Sequence, residues 1–275
     1  SDRGGASINA IADDFADAIG RPVNASSSYH GGTREPGKYV VEPDSSLEGE
    51  EGEPGLEFVS PPLTIPEMLE DIDKVVKWAS RIGAYTNDST GLHMNVSVPN
   101  YDRSQIDFIK LAVFLGDEYV ANQFNRLGTY YAKNVTELIR SRKTDSPGAV
   151  EELFRQMRSG MNTMASRMVM APTSNKYLSI HPKDGWIEFR SPGGDYISEY
   201  ENNRDKIVNT LLRMVVAMDL AMDPDAEKEE YARKLTRLFK PTKVVGGRGE
   251  RQRIEEPLTG SEEDTIKYFA QFSAG

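Results

Sequence analysis

The chain has 275 residues, a formal net charge of −10 and no cysteine, with 38% hydrophobic and 28% charged residues. This composition suits one large globular domain or two modest ones, and its negative balance argues against broad nucleic-acid binding, which needs a basic face. Without cysteine there is no disulfide, thiolate zinc site, iron–sulfur cluster or cysteine nucleophile, and no apolar run approaches the roughly 20 residues of a membrane span. A reducing cytoplasm is the compartment expected, with no membrane partner.

Taken in chain order, Ile8, Ile11, Ala12, Phe15, Ala18 and Ile19 fall at helical spacing and predict a helix over 7–19, with Gly20 at its end. Residues 23–30 and 38–44 are expected to form a hairpin around a Gly- and Pro-containing turn. An acidic loop over 48–54 leads to a strand over 56–60, ended by Pro61 and Pro62, since proline cannot donate to a ladder. A strong helix is predicted over 64–82: Thr64 caps it, Pro66 and Glu67 fill its first turn, and Gly83 ends it. Tyr85 is expected to begin a strand, and a strand over 92–98 follows a turn at Gly91.

A further helix opens at Asp102 or Ser104 and runs towards Asn125. Residues 130–142 and 147–157 read as helices. Residues 177–181 and 186–190 read as a hairpin turning at Pro182-Lys183-Asp184-Gly185. A long apolar helix over 198–222 and a shorter one over 225–239 come next. The chain then divides: 1–240 is expected to be the main domain, and 241–275 a flexible Gly-rich link with a capped helix over 261–272.

Three stretches put polar groups where a doubly buried sheet would be apolar. In a strand, alternate side chains point to opposite faces. Leu92, Met94, Val96 and Val98 therefore share one face, and His93, Asn95 and Ser97 the other. Ile187 and Phe189 oppose Glu188 and Arg190. In Leu56-Glu57-Phe58-Val59 the pattern is less clean, because Val59 shares a face with Glu57. Interspersed strands and helices with antiparallel pairing predict an α+β fold. The expected form is one curved antiparallel sheet, backed by helices, with a polar ligand-facing side.

Asp44, Glu57, His93, Glu188 and Arg190 are the groups on that side. Several carboxylates cannot stay ionised close together without counter-charge. A divalent cation is the simplest source, and oxygen-rich donors with one imidazole suit Mg²⁺ or Mn²⁺. Arg190 adds a planar donor fork for phosphate or carboxylate. Metal, arginine and carboxylates together are the parts used for phosphoryl transfer from ATP.

In this order the chain resembles the amidoligase family, within the glutamine synthetase-like carboxylate–amine ligases. Val41-Glu42-Pro43-Asp44-Ser45-Ser46-Leu47 is similar to its D-x-S-L turn. Gly55-Leu56-Glu57-Phe58-Val59-Ser60-Pro61-Pro62-Leu63 is similar to its E-x-V-S-P-x-L strand, Gly91-Leu92-His93-Met94-Asn95-Val96 to its G-x-H-x-H/N-V strand, and Trp186-Ile187-Glu188-Phe189-Arg190 to its x-E-F-R strand. Asn125-Arg126 and Tyr130-Tyr131-Ala132 echo a segment with Arg and Tyr lining the site.

The resemblance implies a glutamine synthetase-like catalytic fold and an ATP-dependent ligase joining a carboxylate to an amine through an acyl phosphate. It implies Glu57, His93 and Glu188 as metal ligands. His93, Asn95 and Arg190 would contact nucleotide, and Arg190, Arg126 and Asp44 would serve catalysis or substrate binding. Mg²⁺ or Mn²⁺ and ATP are the implied cofactors. The implied partners are a small-molecule or peptide carboxylate and an amine, with a homo-oligomer or larger assembly left open.

One feature of the family has no counterpart before the helix at 7–19: an opening strand with two alternating glutamates. That strand is expected upstream of Ser1 or missing. If it is missing, the alternative is a non-catalytic protein on the same fold, acting as a binding or structural component of an assembly.

Blander assignments stand beside these. Glu57 suits a solvent-facing edge strand, and His93 a structural histidine. Asp44 with its serines suits a turn. Glu188 and Arg190 suit a surface ion pair, and Arg126 a solvated helix charge. His30 and His181, with His93 and a carboxylate, could make the triad of a metal-dependent hydrolase or oxygenase. Met157, Met161, Met164 and Met168 at helical spacing suit core filling. The Gly-rich 191–194 suits a loop rimming the site, 246–249 a linker, and the basic run 233–253 a solvated face.

Overall fold

The computed structural model describes residues 3–50, 55–128, 132, 135, 178–238, 243–245 and 253–255. The chain divides into two compact units, one of residues 1–90 with 194–204 and one of 91–193 with 205–275. The expected helices over 130–142, 147–157 and 261–272, the Met157–Met168 stripe and the 246–249 linker lie outside the described residues. No helix among the described residues is long and apolar enough to cross a membrane.

The first unit is built on α1 (Arg3–Ile19), α2 (Ile65–Arg81) and three strands. These are β1 (Val23–Ala25), β2 (Tyr39–Pro43) and β3 (Leu56–Val59), in the order β1-β2-β3. β2 pairs antiparallel with β3, but β1 pairs parallel with β2, Val23 opposite Tyr39 and Ala25 opposite Val41. The expected hairpin is therefore corrected. Parallel neighbours need a long return connection, and residues 26–38 supply it.

Phe15 sits at the centre of this unit's core, fully buried, with ring centroids 5.4 Å from Tyr39, 4.9 Å from Phe58 and 4.8 Å from Trp78. The buried carboxylate of Asp71 on α2 accepts from Arg21 Nε at 2.7 Å and from the Tyr39 hydroxyl at 2.7 Å. It ties the helix to the middle strand. Thr64 caps α2, as the sequence predicts, and does so in a capping box with Glu67. Tyr85 begins no strand; its hydroxyl accepts from the Glu50 N–H at 3.1 Å.

The second unit carries β4 (Met94–Val96), β5 (Ile180–Pro182) and β6 (Ile187–Phe189) in the order β4-β6-β5, all antiparallel. The predicted hairpin is present, closed by Lys183 N–H donating to the Trp186 carbonyl at 2.8 Å. The same unit holds α3 (Phe108–Leu115), α4 (Asp117–Gln123), most of α5 (Tyr200–Met222) and α6 (Lys228–Leu238).

The single helix expected from 102–104 to 125 is two helices, broken at Gly116 in a left-handed conformation (φ 64°). It also starts late. Asp102 accepts from the Ser104 N–H at 2.8 Å and its hydroxyl at 2.7 Å, a local turn that competes with helix, and Asp107 is the actual cap. Within the expected link, β7 (Lys243–Val245) pairs antiparallel with β8 (Arg253–Glu255).

The architecture is thus α+β with small open sheets. Ladder hydrogen bonds join the described strands into separate sheets of three, three and two strands, not the single curved sheet expected. Strands of three to five residues, several ended by proline, give short ladders.

Phe15→Ala should destabilise the first unit by about 3–5 kcal/mol, since a fully enclosed ring leaves a cavity. Urea unfolding followed by the emission of Trp78, which touches Phe15, measures it.

Candidate functional site

In the first unit, the β2–β3 register sets Glu42 directly opposite Glu57. Opposed like charges on neighbouring strands repel, and Glu42 has no access to water at 0% exposure. Its carboxylate accepts from Arg34 Nη2 at 2.9 Å and from the Gly32 N–H at 3.3 Å, with His30 Nδ1 also 3.3 Å away. These contacts come from alternate residues of the segment between β1 and β2. At position 32 only glycine fits: a Cβ there would run into Val40 Cγ1 and lie 3.2 Å from Glu42 Oε2. His30 is held at φ 53°, left-handed and rare for a non-glycine residue, with the Tyr29 ring stacked on it at 3.8 Å between centroids.

Donor atoms of His30, Glu42 and Glu57 all lie within 4.8 Å of one another. Two carboxylates and an imidazole can hold a divalent cation. Burial, then the charges of Glu42 and Asp44, push the Glu57 carboxyl above its ordinary value, against the pull of His30 and Arg34. Glu57 is therefore no freely solvated edge-strand glutamate. Asp44 makes the local turn: it accepts from the Ser46 N–H at 2.8 Å and from its hydroxyl at 2.7 Å. It still adds negative charge beside Glu57.

In the second unit the predicted alternation is explicit. Met94 and Val96 are buried and Asn95 exposed, while Ile187 and Phe189 are buried around half-buried Glu188. β5 matches, with Ile180 and Pro182 buried around His181. The registers put Asn95, Glu188 and His181 in one row across the three strands. Arg190 Nη1 donates to Glu188 Oε1 at 2.6 Å, with both side chains under 20% exposed. Arg190 Nε is buried with no partner among the described residues, and so is the hydroxyl of fully buried Ser191.

Burial works against the Glu188 carboxylate, but the Arg190 hydrogen bond and charge, helped by His93 and Lys183, hold its carboxyl below the ordinary value. Burial and the Lys183 charge push the His181 imidazole down, against the pull of Glu188. His93 lies on the exposed side just before β4. Its Nε2 is 2.7 Å from where a Cβ on Gly91 would stand, so the ring rests on bare backbone. Gly91 bridges to Gly193, and the Leu92 N–H donates to the Pro192 carbonyl at 2.9 Å. The loop over 191–194 is thus fastened at the edge of this face.

Arg126 departs from the solvated helix charge expected. It follows α4, outside the helix, and is buried at 4% exposure. The structure therefore groups Asp44 with Glu57 in one unit and His93, Asn95, Glu188 and Arg190 on one sheet of the other, with Arg126 in that same unit. The histidines of the hydrolase alternative fall in different units, His30 in the first and His93 and His181 in the second.

Sequence reasoning missed Glu42 and His30 as partners of Glu57. The available signal was the strand over 38–44, where Glu42 alternates with Asp44.

The site thus consists of enclosed carboxylates with cationic partners, Glu42 with Arg34 and Glu188 with Arg190, on an α+β scaffold with a half-polar sheet. A family model described as "Putative amidoligase enzyme" matches residues 4–211, well over half of the chain. The chain belongs to the amidoligase family, whose members are of ligase type. No curated protein and no solved structure gives a significant match.

The acid pair sets a pH dependence with a definite sign. A carboxyl whose folded value is raised contributes stability below its unfolded value, about 4.3, and loses it as pH rises through the folded value. Glu57→Gln should therefore raise the melting point of the metal-free protein at about pH 8, by the equivalent of roughly 0.5–1 kcal/mol, and leave it unchanged near about pH 4. Thermal unfolding in chelator at the two pH values tests this, and a midpoint that falls at the higher pH counts against the pair.

Proposed function

We propose that this protein is an ATP-dependent ligase that joins a carboxylate to an amine through an acyl phosphate, on a glutamine synthetase-like fold, with Mg²⁺ or Mn²⁺ as cofactor and the cytoplasm as its compartment. The observation that carries the proposal is the Glu42–Glu57 pair with His30, donor atoms within 4.8 Å, in a chain of this family. The donor chemistry fits a hard divalent cation: two carboxylates with one imidazole. A bound cation supplies neutralisation of the phosphate charge during transfer.

The protein's own residues would do the rest. Glu57, Glu42 and His30 would hold a cation, with Arg34 and Gly32 fixing the Glu42 carboxylate. In the second unit, His93 and Glu188 are ligand candidates in their own right. The buried, unused Nε of Arg190 supports a role in accepting an anionic oxygen, because an unmet buried donor costs about 1–3 kcal/mol. Glu188 holds that guanidinium in one plane. Its lowered carboxyl keeps it ionised, and so an acceptor, at neutral pH. Asn95 would contact nucleotide, Arg126 a substrate carboxylate or phosphate, and Asp44 the amine.

In the reaction the carboxylate oxygen attacks the γ-phosphorus of ATP and the bond to ADP breaks. The amine nitrogen then attacks the acyl carbon, the carbon–oxygen bond to phosphate breaks, and the nitrogen loses a proton. Amide, ADP and phosphate are the products. The carboxylate is a small molecule or a peptide.

Purified protein given Mg²⁺–ATP and panels of carboxylates and amines should release ADP and phosphate only when both substrates are present. Glu188→Ala and His93→Ala should each abolish that release with the circular dichroism unchanged. Arg190→Lys should lower kcat by about 100-fold or more, since a point charge replaces a planar fork. Turnover that survives both alanine changes overturns the assignment of this site.

A further inference from the structure

Trp186 is an exposed aromatic in a protein whose other tryptophan is buried: 44% exposed against 4% for Trp78. It stands one residue before β6, where exposure alternates without a break. Trp186 is exposed, Ile187 buried, Glu188 half-buried, Phe189 buried and Arg190 half-buried. Trp186, Glu188 and Arg190 therefore lie on one face, the face that also presents Asn95 and His181.

The turn that carries the ring is fixed from several sides. Lys183 N–H donates to the Trp186 carbonyl at 2.8 Å, the Ser97 hydroxyl to the Gly185 carbonyl at 2.8 Å, and the Tyr101 hydroxyl to the Lys183 carbonyl at 2.9 Å. Arg103 meets Asp184 at 3.4 Å. A large apolar ring is thus held at the water surface on an ordered base, at the end of a charged row.

Trp186 and Arg190 flank the three residues of β6 and are four residue steps apart, about 13 Å at a rise of about 3.3 Å per residue. An extended nucleoside triphosphate has the same reach from base to terminal phosphate. One end of the row offers a π-face, and the other offers a guanidinium with a buried unused donor. Lys183 and His93 both act electrostatically on Glu188 between them, which keeps the middle of the row from being wholly negative.

We propose that Trp186 is the stacking platform for the base of the nucleotide whose phosphate meets Arg190, so that the two residues flanking β6 read a nucleoside triphosphate from ring to phosphate. The proposal rests on the ATP-dependent ligase activity argued above. Stacking tolerates any base, because every base has a π-face. The platform therefore supplies affinity for the nucleoside end and does not select adenine.

The test uses the full chain with Mg²⁺ and two probes, ATP and inorganic triphosphate, each titrated by calorimetry and by tryptophan emission. ATP should quench emission through Trp186, and inorganic triphosphate should bind without that quench. Base–aromatic stacking of about 1–3 kcal/mol corresponds to a loss of about 5- to 150-fold. Trp186→Ala should therefore weaken ATP by at least about 5-fold and leave inorganic triphosphate unchanged. Trp186→Phe, which keeps a ring, should retain most ATP affinity while abolishing the quench.

Equal ATP binding by native protein and Trp186→Ala overturns the platform and leaves the ligase proposal standing. Equal weakening of both probes also overturns it, since the ring would then only support the turn. If neither probe binds the unmodified chain, the platform and the ATP-dependent ligase fall together.

Discussion

A carboxylate with no access to water, facing a second carboxylate across a ladder, can exist only with positive charge close at hand. Glu42 is in that position opposite Glu57, and the architecture of the first unit answers it. Removing an ionised group from water costs several kcal/mol unless it is paired and hydrogen-bonded. Arg34, Gly32 and His30 meet that requirement from a single segment, 26–38. The segment passes Glu42 because β1 and β2 are parallel. A hairpin would have turned at the strand end, whereas a parallel pair makes the chain travel back along the sheet. The pairing that sequence patterns missed is the one that brings His30, Gly32 and Arg34 to Glu42. Burial first, and then the charges of Glu42 and Asp44, keep the Glu57 carboxyl raised despite His30 and Arg34. That residual repulsion is what a divalent cation would relieve.

How much could be foreseen differs between the two units for a physical reason. In the second unit one sheet face is covered and the other open, so side chains must alternate, and Asn95, Glu188 and Arg190 announce themselves as polar residues between apolar ones. In the first unit β2 is the central strand and both of its faces are covered. Tyr39, Val40, Val41 and Glu42 are all buried. A strand enclosed on both sides loses its period of two, and a buried glutamate then looks like a strand-end residue next to Asp44. Glu42 needed its register partner to become visible, and register is not a local property.

Local side-chain chemistry explains the other departures. Asp102 with Ser104 and Asp44 with Ser46 each form a turn through a carboxylate that accepts from the backbone N–H and hydroxyl two residues on. Such groups offer the backbone an alternative to helix or strand, so the helix after Asp102 begins only at Phe108. Asp44 illustrates how one residue serves two descriptions. Its oxygen is committed to a turn, yet its charge is felt by Glu57. Arg126 shows the opposite failure: read as a solvated charge, it is buried outside the helix that was expected to expose it.

The Glu188–Arg190 pair is too enclosed to be an ordinary surface ion pair and too incompletely bonded to be a stabilising one. Exposed pairs contribute about 0–1 kcal/mol, and apolar residues of similar size often replace buried pairs without loss. Neither kind of pair explains a guanidinium whose Nε is buried and unused among the described residues. That donor forfeits a hydrogen bond to water for as long as no acceptor reaches it. Glu188 orients the fork and stays ionised, so the cost of the unmet donor is carried in advance. An anionic oxygen that reached it would meet a group already fixed in place and largely withdrawn from solvent. A phosphoryl-transfer site benefits from this condition, because donors that need not reorganise stabilise developing charge more than donors that must first shed water.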